Sequence, residues 1–279
     1  MGLLPTARNL LKVWVLLVGF CAALGGLGWW AGGFRLASIS IFCALLAAAA
    51  VYWYLDRVAL GMVGARELVA AEAPLLRSTV ERLAARAGVA RPKLYLLTDP
   101  HPRAFVAGRG PRGSSLAVSA GLLSAAQPAE LEGVIAHELV HVRNRDVLVQ
   151  TTAVVLAGVL IEMSRLGGWF QRVLLFVLAP IAAAFVHLLL SPSREFAADR
   201  AAAAICESPH GLADALLRLE QAGSLVEFRA SPATEPLYTI NPFIEDGIAG
   251  MFVTHPPIGE RVQRLRDLDP DWRAKLRAA

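Results

Sequence analysis

Cysteine is scarce in this chain: three in 279 residues, at Cys21, Cys43 and Cys206. An odd, scattered set builds no disulfide framework. It also lacks the paired C-x-x-C units of a zinc ribbon. Two of the three lie inside apolar stretches, so all three read as small buried side chains. Histidine is rare as well, six in the whole chain. There is no internal repeat and no low-complexity tract beyond alanine richness. The formal charge is +4 and the pI about 9.2, yet no basic patch interleaved with aromatics appears along the sequence. That removes the usual signature of a nucleic-acid binder, and nucleic acid is not among the expected partners. Lys and Arg instead flank apolar segments, where they set membrane orientation.

Apolar residues, in contrast, are in excess: 56% of the chain, with mean hydropathy +0.50. A soluble domain sits near 45–50%. The excess falls in four blocks. The first spans residues 13–30, preceded by Arg8 and Lys12; the second spans 36–55 and ends in Tyr52, Trp53 and Tyr54. Each approaches the roughly 20 residues that cross a bilayer, with aromatics where an interface is expected. Gly32, Gly33 and Arg35 separate them, so the pair reads as a helical hairpin. Its apolar run is too long for a signal peptide. The third block, 147–160 continuing to 163, and the fourth, 173–190, are shorter or less pure. They read as a second membrane hairpin, with a buried core hairpin as the alternative. His187 in the fourth reads as an interior histidine.

Between the hairpins the chain turns soluble in character. Residues 65–87 read as an amphipathic helix interrupted at Pro74, with a fresh start near Ala73 and a stop at Gly88. Residues 93–98, 104–107 and 115–119 are strand candidates, the last two separated by Gly108, Gly110, Pro111 and Gly113. A helix then starts near 128–130, where Pro and acidic residues mark a first turn. After residue 191, helices are expected at 195–205, 211–222 and 258–268. Pro232, Pro236 and Pro242 mark an irregular segment.

The chemistry centres on His137-Glu138-Leu139-Val140-His141. On a helix, positions i and i+4 share a face, so His137 and His141 can bind one Zn²⁺. Glu138, beside the first, can take the proton of a water on that metal. A catalytic zinc needs a third protein ligand from another element. Glu195 offers one, and Asp199, again i+4, can accept the other ring N–H of a ligand histidine, His137 for preference.

The segment HELVHVRNRD, an apolar hairpin and then SREFAAD together resemble the HtpX family of membrane zinc proteases, and more distantly the CAAX prenyl protease group. PRAFVAGRG, SSLAVSAGLL, INPF and THPPIGERVQRL extend the resemblance over nearly the whole chain. The resemblance implies His137, His141 and Glu195 as zinc ligands, Glu138 as general base and proton donor, and Asp199 as the aspartate behind a ligand. It also implies catalytic roles at the oxyanion for His255 and, near it, Arg261; the plain alternative for His255 is packing before the last helix. Asn144 and Asp146 match the end of the zinc-helix motif and read as structural. Two departures stand out: only Arg194 remains of several basic residues before Glu195, and Arg103 replaces an Asn. Both bear on substrate preference.

The expected fold is therefore mainly α with a small β-sheet (α+β): a zincin-type metalloprotease domain with an N-terminal transmembrane hairpin and a second apolar hairpin inserted after the zinc helix. The expected division is 1–56 for the first hairpin, 57–146 for sheet and HExxH helix, 147–190 for the second hairpin, and 191–279 for the third ligand and last helices. Expected partners are a lipid bilayer and polypeptide substrates, misfolded or damaged membrane proteins by the resemblance. The expected location is a bacterial inner (plasma) membrane, multi-pass, with the catalytic domain cytoplasmic: Arg8 and Lys12 precede the first span, Arg57 and Arg66 follow the second, and only Arg35 lies between. Residues 115–119 are expected to offer a free edge to which substrate adds as a strand. A non-proteolytic zinc scaffold and a CAAX-type processing enzyme are the alternatives.

Overall fold

The computed structural model describes residues 3–69, 71–165, 168, 171–189, 192–223 and 255–271. The segment holding Pro232, Pro236, Pro242 and the INPF motif lies outside them.

Helix α1 (Leu3–Met62) is broken at Gly32–Gly33, where Gly33 takes φ +65° and ψ −153°. Glycine enters that region without the clash a Cβ brings. The chain reverses there and the two legs touch. A Cβ on Gly28 would lie 2.7 Å from the Leu36 carbonyl oxygen and 3.0 Å from Ala37 Cα. The stretch Leu11–Ala50 within α1 is long and apolar enough to cross a membrane. It leaves the large apolar side chains of Trp14, Val18, Leu27, Phe42 and Leu45 exposed.

The sheet has four strands, β1 (Arg66–Glu67), β2 (Lys93–Leu97), β3 (Ala104–Gly110) and β4 (Gly113–Ser119), in the order β1-β2-β4-β3. β2 and β4 are parallel; the other two pairings are antiparallel. Two sequence expectations fail here. No helix begins at residue 65: Arg66 and Glu67 pair with Leu96 and Tyr95, and α2 (Pro74–Ala87) starts at the proline. Residues 115–119 offer no free edge, because β4 lies between β2 and β3. Strand candidates can be read from composition; their order is set by which neighbour the fold brings alongside.

The remaining helices are α3 (Ala120–Ala125), α4 (Pro128–Arg143), α5 (Asp146–Arg165), α6 (Gln171–Leu189), α7 (Pro192–Cys206), α8 (His210–Gly223) and α9 (Ile258–Arg266). The sheet separates two apolar cores. Ala104, Val106, Leu116 and Val118 face one, shared with α2, α4, α7 and α8. Phe105, Ala107 and Ala117 face the other, shared with α1, α5 and α6. A sheet covered on both faces has apolar residues at every position, which is why 104–107 and 116–118 show no polar alternation. α5 is enclosed in the second core, whereas α6 keeps Val173, Phe176, Val177 and Ile181 exposed. Among the described residues, their apolar parts, Asp146–Gly158 and Gln171–Ala184, are shorter than a full span.

Two glycines set how closely α4 meets α8. A Cβ on Gly133 would lie 2.5 Å from the Leu212 backbone nitrogen, and one on Gly211 would lie 2.3 Å from the Ala129 carbonyl oxygen. Backbone therefore packs on backbone beside the helix that carries the HExxH motif.

Candidate active site

Helix α4 starts as its sequence directs: Pro128 stands in the first turn, and the Gln127 N–H donates to Glu130 Oε2 at 2.9 Å. Two turns on, His137 and His141 project from one face, and both rings are buried, 1% and 2% exposed. Their Nε2 atoms lie 3.1 Å apart. Helix α7 brings Glu195 up to them: Oε2 is 3.5 Å from His137 Nε2 and Oε1 is 3.5 Å from His141 Nε2.

These distances test whether the three groups fit a metal. For tetrahedral Zn²⁺ with ligand bonds of 2.0–2.1 Å, neighbouring ligand atoms stand about 3.3–3.4 Å apart. The observed separations match the edges of that tetrahedron. The tautomers agree. His137 Nδ1 lies 2.9 Å from Asp199 Oδ1, and His141 Nδ1 lies 3.3 Å from Asp146 Oδ2. A carboxylate can only accept, so each Nδ1 carries a proton, and each ring, once neutral, has its Nε2 lone pair turned inward. Two lone pairs and a carboxylate facing one point call for a cation.

Behind each histidine stands a carboxylate, and behind each carboxylate an arginine. Arg261 donates to Asp199 through Nε at 2.8 Å and Nη2 at 2.7 Å. Arg194 donates to Asp146 through Nη1 at 3.3 Å. The sequence points to Asp199; there Asp146 matches the end of the zinc-helix motif with a structural role expected, and Arg194 is a departure from the family pattern. A carboxylate five residues past the second histidine was a usable signal for Asp146: Arg145 in between adopts φ +59°, turning the chain so that Asp146 faces back. Nothing local marked Arg194.

Burial by itself would lower the affinity of His137 for a proton. Its contacts with Asp199 and Glu195 outweigh that and raise its pKa to about 9. Burial pushes the Glu195 carboxyl up, but the charges of His255 and His141 and hydrogen bonds from His137 and His255 hold it well below the ordinary carboxylate range. Asp199 is held low in the same way, chiefly by Arg261.

Glu138 is 4% exposed, and its Oε2 accepts the Val106 N–H at 3.1 Å. One residue pair along β3, the Gly108 N–H donates to Thr151 Oγ1 at 3.1 Å. Both N–H groups lie on the side of β3 away from β4, so side chains of α4 and α5 lie along the outer edge of the sheet. His255, just before α9, has Nδ1 3.2 Å from Glu195 Oε2. The structure thus brings all seven sequence-selected residues together: His137, Glu138, His141, Glu195, Asp199, His255 and Arg261. Among the described residues, His137, His141 and Glu195 form the one group whose spacing suits a metal ion.

Comparison with known proteins agrees with this geometry. The profile of peptidase family M48 matches residues 70–269. A "Protease HtpX homolog" from Pelotomaculum thermopropionicum is 39% identical over 275 residues, covering 92% of this chain and 98% of its own. One from Pyrococcus abyssi is likewise 39% identical over 275 residues, covering 92% and 95%. Among solved structures, S. mikatae Ste24p aligns with 94% of this chain and 66% of its own, at 17% identity and TM-score 0.49. A family profile over most of the chain, with relatives that match nearly end to end, establishes that the chain belongs to peptidase family M48 and is a metalloendopeptidase.

Proposed function

We propose that the chain is a membrane-embedded zinc endopeptidase that hydrolyses misfolded or damaged membrane proteins, with His137, His141 and Glu195 as metal ligands and Glu138 as general base. The observation that carries this reading is the spacing of the three donor atoms, 3.1, 3.5 and 3.5 Å, with Glu138 fixed next to them. Zn²⁺ held there would lower the pKa of a water and polarise the scissile carbonyl.

The chain's own residues do the rest. The Val106 N–H fixes the orientation of Glu138, which takes a proton from the attacking water and delivers it to the leaving amine. His255, beside Glu195, is near enough to the metal ligands to donate to the oxyanion. Arg261, bound to Asp199, acts as a positioning residue for His137.

Membrane insertion rests on the exposed apolar surface of α1. Because α1 reverses at Gly32–Gly33, both its ends, and the catalytic domain after it, lie on one side. The excess of Lys and Arg at those ends makes that side the cytoplasm.

The test is metal content and casein cleavage by the detergent-purified chain beside Glu138→Ala. About one zinc in both forms, with cleavage by wild type and a loss of roughly 10²–10⁴-fold in the variant, supports the reading. Zinc in both with equal cleavage removes Glu138 from the chemistry. Zinc in both with cleavage in neither favours a zinc-binding scaffold.

A further inference from the structure

The sequence shows no basic patch interleaved with aromatics, but the fold assembles one. A cavity of about 620 Å³ opens between the end of the second leg of α1 and the β3–β4 turn. Arg57 on α1, Lys93 at the start of β2, Arg109 on β3 and Arg112 in the turn line it. A fifth cation at its rim, Arg91, is neutralised by an ion pair with Glu81. The other four have no carboxylate partner among the described residues. The one carboxylate lining the cavity, Asp56, accepts a hydrogen bond from Ser115 Oγ at 3.4 Å.

Aromatic rings hold two of the cations. The Arg109 guanidinium stands 4.7 Å from the Trp53 ring centre and 5.5 Å from that of Tyr52. Arg57 stands 5.4 Å from the Tyr54 ring. Stacking leaves the N–H edge of a guanidinium available to an oxyanion. These aromatics close the apolar run of α1, the level at which a bilayer gives way to water.

We propose that this cavity binds the headgroup phosphate of an anionic phospholipid. The proposal rests on the reading of α1 as a membrane hairpin with its ends in the cytoplasm. Four cations with no carboxylate partner among the described residues, at headgroup height in a recess of ligand size, suit an anionic phosphodiester. Basic pockets at the cytoplasmic level of membrane helices take such headgroups. Bound there, the lipid would tie the β3–β4 hairpin, and so the sheet beside the active site, to the bilayer surface.

The test uses the full chain in neutral detergent, titrated by native mass spectrometry with dioctanoyl phosphatidylglycerol, dioctanoyl phosphatidylcholine or inorganic phosphate. One phosphatidylglycerol is expected to be retained, with phosphatidylcholine much weaker and phosphate unable to compete at equal concentration. Arg109→Ala/Arg112→Ala should bind phosphatidylglycerol about 30-fold more weakly, from the surface attraction of two arginines. Arg109→Lys/Arg112→Lys keeps the charge and should fall between. An unchanged thermal midpoint shows that both variants are folded. Equal binding of the two lipids, or undiminished binding by the alanine variant, overturns the proposal. Competition by inorganic phosphate overturns the lipid as ligand and leaves a soluble-anion site. Alkaline carbonate washing of membranes separates the premises. A chain that stays in the pellet but ignores phosphatidylglycerol refutes this inference alone; a chain that washes off refutes the membrane reading and this inference with it.

Discussion

Arg261 grips Asp199 with two parallel hydrogen bonds, 2.8 and 2.7 Å long, while wholly buried. Asp199 in turn stands 2.9 Å from His137 Nδ1. A guanidinium on α9 thereby fixes a ring on α4 through a carboxylate on α7, so the three helices must assemble before the histidine is set.

Arg261→Met should therefore leave the buried Asp199 carboxylate without its guanidinium and destabilise the protein by about 3–5 kcal/mol. Arg261→Lys keeps the charge but loses the two-pronged geometry and should cost less. Thermal unfolding in detergent gives the ranking. If methionine is tolerated as well as lysine, the guanidinium is not what holds Asp199.

Asp146 stands behind His141 as Asp199 stands behind His137. Asp146→Asn should weaken metal binding about 10–100-fold while the protein stays folded. Competition with a chelator measures this. Unchanged affinity would make Asp146 a mere contact of Arg194.

The raised pKa of His137, about 9, makes metal binding pH-dependent. A ligand histidine must be neutral, so metal binding at pH 7 displaces its proton. Affinity should rise by up to about tenfold per pH unit and level off above about 9. Stability of the metal-free fold has the opposite sign. A histidine raised above its ordinary 6.5 stabilises the fold fully below that value, and the contribution is lost as pH climbs towards 9. Calorimetry in buffers of different ionisation heat counts the protons; none released at pH 7 would contradict the assignment.

Gly133→Ala places a Cβ 2.5 Å from the Leu212 nitrogen, and backbone cannot give way as a flexible side chain does. A loss of about 1–3 kcal/mol is expected, with lower cleavage because α4 carries the donors. Gly259→Ala, whose Cβ meets nothing within 4 Å, serves as control and should leave stability unchanged or slightly higher. Equal thermal midpoints for the two variants would mean that α4 and α8 separate easily.

The i, i+4 spacing within one helix determined, without reference to the fold, that His137 and His141 share a face and that Glu195 and Asp199 share another. Helical periodicity is a local property, so the pairs could be read directly. Pro74, Gly88 and the Gly32–Gly33 break were equally local, because each acts through its own backbone torsions. The sequence also placed strands near 93–98, 104–107 and 115–119, but not their order. β4 became an inner strand, and β3 the one bordering α4, only because the β2–β4 parallel pairing closed between them. Pairing across a sheet is decided by which faces can be covered, and both faces of these strands are apolar. The pairing of Arg261 with Asp199 and of Arg194 with Asp146, the Val106 contact to Glu138 and the basic recess of Arg57, Lys93, Arg109 and Arg112 belong to the tertiary structure alone. Each joins residues distant in sequence, and no short-range pattern encodes a distance that only packing sets.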